Sequence, residues 1–492
     1  MNIDEEKNFL SNQLKEGINK LNQNLSDDAL TYFTKILSIR PNHSQTINLQ
    51  GICYYNLKKY SLAIQNFELA ISIDPDQDGF FINLGNTYKE INEFEKAKET
   101  YEEGLKLKKN QTIFYNQLGL LFFSTQNYER AKEFFFLSLK YDSNNYQALN
   151  NLGQVENELS NFEKAKEYYN KSIEKNNNYS VAHFNLGLSL IREGNFELGW
   201  KNYEYRDNKR RNLDLTSDKI EWTGSNLEDN VLLIICEQGI GDNIQFIRYV
   251  SQINKKNSKI YLLIKHNLVS LFTKIENVDK IFTHKDQIPR FDYYVYLLSL
   301  PNLFNTIKPF PKALNFFSFN QNKINNWNNF FKKYNSKLNI GLCWQGDSVN
   351  NKNDYKRSIP LKLFQSIFDI DNINIFSLQK NNGTDQINNI TITKNNFVIF
   401  DQNYDEKPFE DTLCIIKHLD LIITIDTSIA HISGTLEKNT WLLLSKVCDF
   451  RWGIKTEKSL WYDSVKLYRQ TDINNWEEVI NRVKEDLIKM IK

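Results

Sequence analysis

Glycine recurs at an unbroken step of 34 residues through the first part of this 492-residue chain: Gly17, Gly51, Gly85, Gly119, Gly153 and Gly187. A second column keeps the same step, Ala29, Ala63, Ala97, Ala131 and Ala165, then Gly199. A third is aromatic: Phe33, Phe67, Tyr101, Phe135, Tyr169 and Tyr203. Each unit reads as two helices, which in the second unit span residues 45–57 and 61–73. The small residues fall where the two helices cross and let the backbones approach, and the aromatic fills the groove beside them. Pro41 and Pro75 close their units, because proline cannot continue a helix. Lys109, Ser143 and Asn177 stand there in later units, which are more degenerate. No unit can bury its apolar face alone, so the units must stack on one another.

The period and its columns resemble the tetratricopeptide repeat. That resemblance implies a right-handed superhelix with a protein or peptide on its concave face. A fourth column, Asn83, Gln117, Asn151 and Asn185, offers a donor and an acceptor in each carboxamide. It resembles the asparagine ladder in the repeats of O-linked N-acetylglucosamine transferase, which implies a grip on an extended peptide backbone. The alternative is that these are ordinary exposed polar residues in an Asn-rich chain.

Length suggests about three domains. Lys plus Arg number 61 against 60 Asp plus Glu, so no basic excess points to nucleic acid or an anionic membrane. No apolar run approaches membrane-spanning length. Residues 1–14 are charged and lack the apolar core of a signal peptide. The cysteines, Cys53, Cys236, Cys343, Cys414 and Cys448, show no metal or redox spacing and suit a reducing compartment, with the cytoplasm as the expected location.

After Tyr203 the pattern changes to short apolar runs alternating with helices. Runs at 231–236, 259–264, 293–298, 338–344, 373–378, 397–400, 421–425 and 440–444 read as strands, and those at 243–253, 361–368 and 411–418 as helices. Such alternation implies parallel sheets, here as two Rossmann-like lobes with a cleft between them. The expected organisation is an N-terminal tail over 1–9, six repeats over 10–210, a linker over 211–230, a first lobe over 231–325, a second over 335–470 and a C-terminal helix over 471–492. The triplet Lys209, Arg210 and Arg211 reads as solvated linker.

Three strand-end loops carry candidate chemistry, because ligands of parallel sheets gather at the carboxyl ends of the strands. Glu237-Gln238-Gly239-Ile240-Gly241-Asp242 begins like a dinucleotide fingerprint but has Ile244 at the third glycine position. Asp242 would repel a diphosphate; it suits either helix capping or accepting a proton from a hydroxyl. The segment from Asp426 to Gly434 carries Thr427, Ser428 and His431 at a helix start, either an anion site or a capped helix with a buried histidine. The third joins Gly341, whose lack of a side chain would let a ligand approach, with Gln345, Lys356, Arg357 and, on the next strand, Gln379. Two adjacent cations are otherwise ordinary on a surface; here they could neutralise phosphate.

The order of these loops, together with Arg248-Tyr249, Arg357-Ser358-Ile359-Pro360, Asp449-Phe450-Arg451-Trp452, Trp461-Tyr462 and Arg469-Gln470, resembles glycosyltransferases of the GT-B fold. The likeness is in particular to bacterial tetratricopeptide proteins with a heptosyltransferase-like region. The resemblance implies a metal-independent transferase with a nucleotide-diphosphate sugar as substrate and no cofactor. It makes Asp242 the catalytic base, and Asp426, Thr427, Ser428 and His431, with Lys356 or Arg357, the donor site. Ile432-Ser433-Gly434-Thr435 departs mildly from the usual Leu-Ala-Gly-Ala. The acceptor would be a protein or glycan hydroxyl. The rival expectations are a non-catalytic scaffold with a degenerate transferase region, or a nucleotide-sugar epimerase.

Overall fold

The computed structural model describes residues 3–107, 109–206, 214–216, 218–272, 275–284, 286–309, 316–347, 354–391, 396–400, 405 and 407–492. The basic triplet 209–211 and Asn353 lie outside the described residues. The chain divides into two compact units, Met1–Tyr179 and Ser180–Lys492. No helix among the described residues is long and apolar enough to cross a membrane.

The first unit is built of helical hairpins: Ile3–Asn22 with Ser26–Ile39, Ser44–Asn56 with Tyr60–Ile73, Asp78–Glu90 with Phe94–Lys106, Gln111–Ser124 with Tyr128–Tyr141, and Tyr146–Glu158 with Phe162–Lys175. Residues from Ile3 onward, expected as a tail, open the first helix instead. The structure ties the glycine and aromatic columns together. A Cβ added at Gly51 would sit 2.5 Å from Cε1 of Phe67, and the equivalent ring blocks Gly17, Gly85, Gly119 and Gly153. The aromatic therefore lies on the glycine rather than beside it, and both are needed for the two helices to close.

A further column was not visible as a residue type. Asn24, Lys58, Asn92, Gln126, Ser160 and Gly194 all have positive φ, between 58° and 89°, at the turn between paired helices. The left-handed conformation ends the first helix so that the second can fold back. Only Gly194 adopts it without a steric cost.

The carboxamide column is corrected in part. Asn151 is buried, donates through Nδ2 to Oδ1 of Asn116 at 3.0 Å, and accepts from Asn150 at 3.4 Å. Asn83 donates to Asn48 at 2.9 Å. The rungs therefore join residues 35 apart, and Asn116, not Gln117, is Asn151's partner. Gln117 is half-buried on its helix, and Asn185 belongs to the second unit.

The second unit starts with the sixth hairpin, Ser180–Arg192 and Phe196–Tyr203. Here the sequence expectation of one continuous six-repeat array meets a difference. Ile191, Phe196, Trp200 and Tyr203 join the same core as Leu232, Ile234, Phe246 and Trp461. Trp200 makes edge contacts with Phe246 at 5.6 Å and Trp461 at 6.3 Å. The hairpin keeps the repeat's spacing but spends its apolar face on the sheets.

Two parallel sheets follow. The first has β1 (Ile220–Glu221), β2 (Val231–Ile235), β3 (Lys259–Ile264), β4 (Lys280–Thr283) and β5 (Tyr293–Tyr296), ordered β1-β5-β2-β3-β4. The second has β6 (Leu338–Cys343), β7 (Ile373–Ser377), β8 (Phe397–Val398), β9 (Leu421–Ile425), β10 (Thr440–Leu444) and β11 (Val465–Arg469), ordered β11-β10-β9-β6-β7-β8. The edge strands β1, β4 and β11 escaped the sequence reading, since their residues are partly polar. Central strands such as β9 are buried throughout, as a parallel sheet covered on both faces demands. The helix expected over 243–253 is an α-helix, Ile240–Phe246, running into a 3-10 turn, Ile247–Gln252. The closing helix Trp476–Ile491 lays Val479, Ile480, Val483 and Leu487 against Ile340, Ile375 and Leu421 of the second sheet.

Candidate functional site

In both sheets the strand order reverses direction at one point, between β2 and β5 in the first and between β6 and β9 in the second. Parallel sheets bind ligands outside the carboxyl ends of the strands at such points. The loops that leave β2, β6 and β9 there line one cavity of about 1580 Å³ within the second unit.

On the first-sheet wall, the loop after β2 is held from the sixth hairpin. Buried Arg206 forms an ion pair with Glu237 at 2.6 Å and also bonds Glu204 and Ser299. The Glu237 and Glu204 charges hold its guanidinium above the ordinary arginine range against burial, which pulls it down. Tyr203 exchanges hydrogen bonds with Gln238, which sits at φ 63°. This pins the strained turn that brings Gly239–Asp242 to the cavity.

Asp242 takes the capping role of the two that the sequence left open, and adds an ion pair. Its Oδ2 accepts from the Gly239 backbone N–H at 2.8 Å, capping the helix. Its Oδ1 is ion-paired with Arg451 from the second-sheet side. Both carboxylate oxygens thus have protein partners.

The second-sheet wall meets the first at a close backbone approach. A Cβ at Gly241 would lie 2.6 Å from Cδ2 of His431. His431 is buried, bonds Oη of Tyr462 through Nδ1 at 2.9 Å, and lies 5.4 Å from the Trp452 ring. Burial, then the Arg248 and Arg357 charges, pushes its pKa down to about 3. It is a neutral hydrogen-bonding group, as the buried-histidine alternative has it, although it lines the cavity.

Arg357 lines the cavity, whereas Lys356 does not. Arg357 pairs with Asp354 at 2.7 Å and donates to the backbone carbonyl of Asp426 at 2.6 Å. Burial raises the Asp426 carboxyl against the Arg357 charge, which lowers it. Burial and then Asp426 push Asp449 up to about 7. Ser428 opens the helix Ser428–Thr435 on the same wall, and no side chain caps its first turn. Thr427 lies 3.5 Å from Thr424 Oγ1 and 3.8 Å from Cys343 Sγ.

Two expected donor contacts have structural work, although Gln379 also lines the cavity. Gln379 accepts from the Trp344 and Gln345 backbone N–H groups at 3.1 and 2.9 Å and donates to the carbonyls of Gln345 and Asn382. It clamps the loop after β6, so its amide is consumed. Gly341 lies inside β6, where a Cβ would strike Leu378 and Leu419 at 2.7 Å. Its missing side chain serves core packing, not ligand approach. Gln345 stays on the cavity wall, with Oε1 accepting from Gln386 at 2.5 Å.

Sequence reasoning gave no role to Arg451 and Asp449, although their segment was noted. The available signal was a cation set between Phe450 and Trp452 in a strand-end loop. Among the described residues no group of three or more His, Cys, Asp or Glu is arranged to hold a metal ion.

Against known proteins, the first part of the chain is defined by class: the tetratricopeptide repeat family model matches residues 44–77, 79–111, 113–145 and 146–179, so these are tetratricopeptide repeats. Among curated proteins, Protein FlbA of Caulobacter vibrioides is 22% identical over 311 residues, covering 58% of this chain and 51% of its own length. The chain thus spans about half the length of that relative. Similar solved structures include Pseudomonas aeruginosa PilF, 18% identical over 41% of this chain and 90% of its own, with TM-score 0.34. TTC0263, a thermophilic tetratricopeptide protein of Thermus thermophilus, is 16% identical over 37% of this chain and 99% of its own, with TM-score 0.34.

Proposed function

We propose that the second unit is a GT-B type glycosyltransferase that moves a sugar from a nucleotide-diphosphate donor to a hydroxyl, while the repeats bind the acceptor protein or a partner. One observation carries the reading. A single cavity is lined by switch-point loops of two parallel sheets, with a carboxylate, Asp242, on one wall and Arg357 and the Ser428 helix start on the other.

In this reading the diphosphate lies against Arg357 and the first turn of the Ser428 helix, where cationic and N–H partners stabilise the charge that develops on departure. The acceptor oxygen attacks the anomeric carbon and the bond from that carbon to the diphosphate breaks, its electron pair leaving with the diphosphate. Asp242 takes the acceptor's proton. Neutral His431 fits a hydrogen-bonding role toward the donor sugar rather than a charged one.

The test is turnover and binding over a panel of nucleotide-diphosphate sugars, with slow hydrolysis identifying the donor when no acceptor is known. Asp242→Asn is expected to keep donor binding and lose about 10²–10⁴-fold in rate. Full activity in that variant, or no binding of any nucleoside diphosphate, sinks the reading. The second outcome favours a non-catalytic scaffold, a reading helped by the fact that Asp242 and Arg357 already have protein partners.

A further inference from the structure

A row of acidic and basic side chains runs along the cavity. Asp242, on the first-sheet wall, pairs with Arg451. Arg451 also pairs with Asp449 at 2.6 Å. Asp449 lies within the electrostatic reach of Asp426 and Arg357. Arg357 pairs in turn with Asp354.

Arg451 has an unusual position in this row. Its side chain is only 8% exposed, yet it lines the cavity. Its guanidinium lies 4.3 Å from the Phe450 ring centre, which fixes the plane of the fork. Its Nε is buried with no hydrogen-bond partner, and the same holds for Nε of Arg357. A guanidinium prefers two parallel bonds to one oxyanion, but here its two terminal nitrogens are divided between two carboxylates on different loops. Each cation therefore has a donor in reserve and a partner that an incoming oxyanion can replace.

We infer that Arg451 is a diphosphate-binding latch: paired with Asp242 it neutralises the carboxylate, and a bound diphosphate draws it away and leaves Asp242 free to accept a proton. The inference rests on the reading of this cavity as a donor site. It orders the reaction, because the base is released only when the leaving group is in place. It also explains why an acidic residue stands beside an anion site: Asp242 is the resting counter-ion of the cation that binds the anion. Arg451 is a binding and positioning residue, and the proton goes to Asp242.

The experiment is a titration of the full chain with inorganic pyrophosphate, without divalent metal, followed by phosphorus NMR. Asp242→Asn removes the competing charge and is expected to tighten pyrophosphate binding several-fold to about tenfold, as expected for losing one charge-assisted partner. Arg451→Ala is expected to weaken binding about tenfold or more and to erase that gain in the double variant, with Arg451→Lys in between. A merely structural Arg451 predicts that any gain in Asp242→Asn is only relief of charge repulsion and persists in the double variant, so the double variant decides. Unchanged or weaker binding in Asp242→Asn, or no saturable binding in the wild type, overturns the latch. Pyrophosphate binding with the expected pattern, but no nucleotide sugar bound or turned over, keeps the latch and overturns the transferase reading.

Discussion

Gly51→Ala tests the contact on which the repeats depend. In an ordinary exposed helix interior this change stabilises by about 0.8–1.0 kcal/mol, because alanine loses less backbone entropy. Here the new methyl would lie 2.5 Å from Cε1 and 2.8 Å from Cδ1 of Phe67. Phe67 is 1% exposed, so the ring has no open side to retreat to. Overpacking of this kind costs about 1–3 kcal/mol, and with a fully enclosed ring the upper half of that range applies. The net expectation is destabilisation of about 1–2 kcal/mol. Amide hydrogen exchange over residues 44–73 in the full chain reads it as opening about 5–30-fold more populated. Phe67→Leu in the same chain shortens the opposing group, so the double variant should be less destabilised than the sum by about 1 kcal/mol. Slower exchange in Gly51→Ala, or strict additivity with Phe67→Leu, would refute the ring-on-glycine account.

Two further outcomes follow from particular residues. Gln126 holds φ 62° at a turn where glycine carries no steric cost, so Gln126→Gly should stabilise its hairpin by about 0.5–1 kcal/mol, read as slower exchange over residues 111–141; faster exchange contradicts it. His431 is held neutral with its pKa pushed down to about 3, while the unfolded chain titrates at the ordinary value of 6.5. The unfolded state therefore binds the proton first, and this contribution to stability is whole above pH 6.5 and lost as pH falls toward 3, with a slope of up to about 1.4 kcal/mol per pH unit. Denaturant midpoints at pH 7 and pH 5 should fall further apart in the wild type than in His431→Gln, and equal pH dependence would count against a neutral buried ring.

The repeats were legible because their packing is local and recurs. Gly17, Gly51, Gly85, Gly119 and Gly153 each meet the ring of the aromatic 16 residues on, and a fault in any one unit would have broken the column. The carboxamide rungs were harder. Asn116 and Gln117 are adjacent in sequence but about 100° apart around a helix, and only coordinates show that Asn151 faces the former. The strand-end loops leading to Asp242 and Asp426 were legible because apolar runs stop at Cys236 and Ile425. Gly341 was misread because a residue near a strand end can face the core as readily as a ligand, whereas Gln379 lies on the cavity wall as expected and also clamps the loop after β6.

The sequence by itself determined a 34-residue helical repeat and two parallel α/β segments, since both follow from the spacing of apolar and small side chains along short stretches. Tertiary structure alone decided the rest. It divided the chain after Tyr179, because the sixth hairpin buries Trp200 and Tyr203 among sheet residues. It also paired Asp242 with an arginine 209 positions away. Periodicity reports which face of an element is buried, but not which distant face covers it, and charges far apart in sequence meet only when the chain has closed.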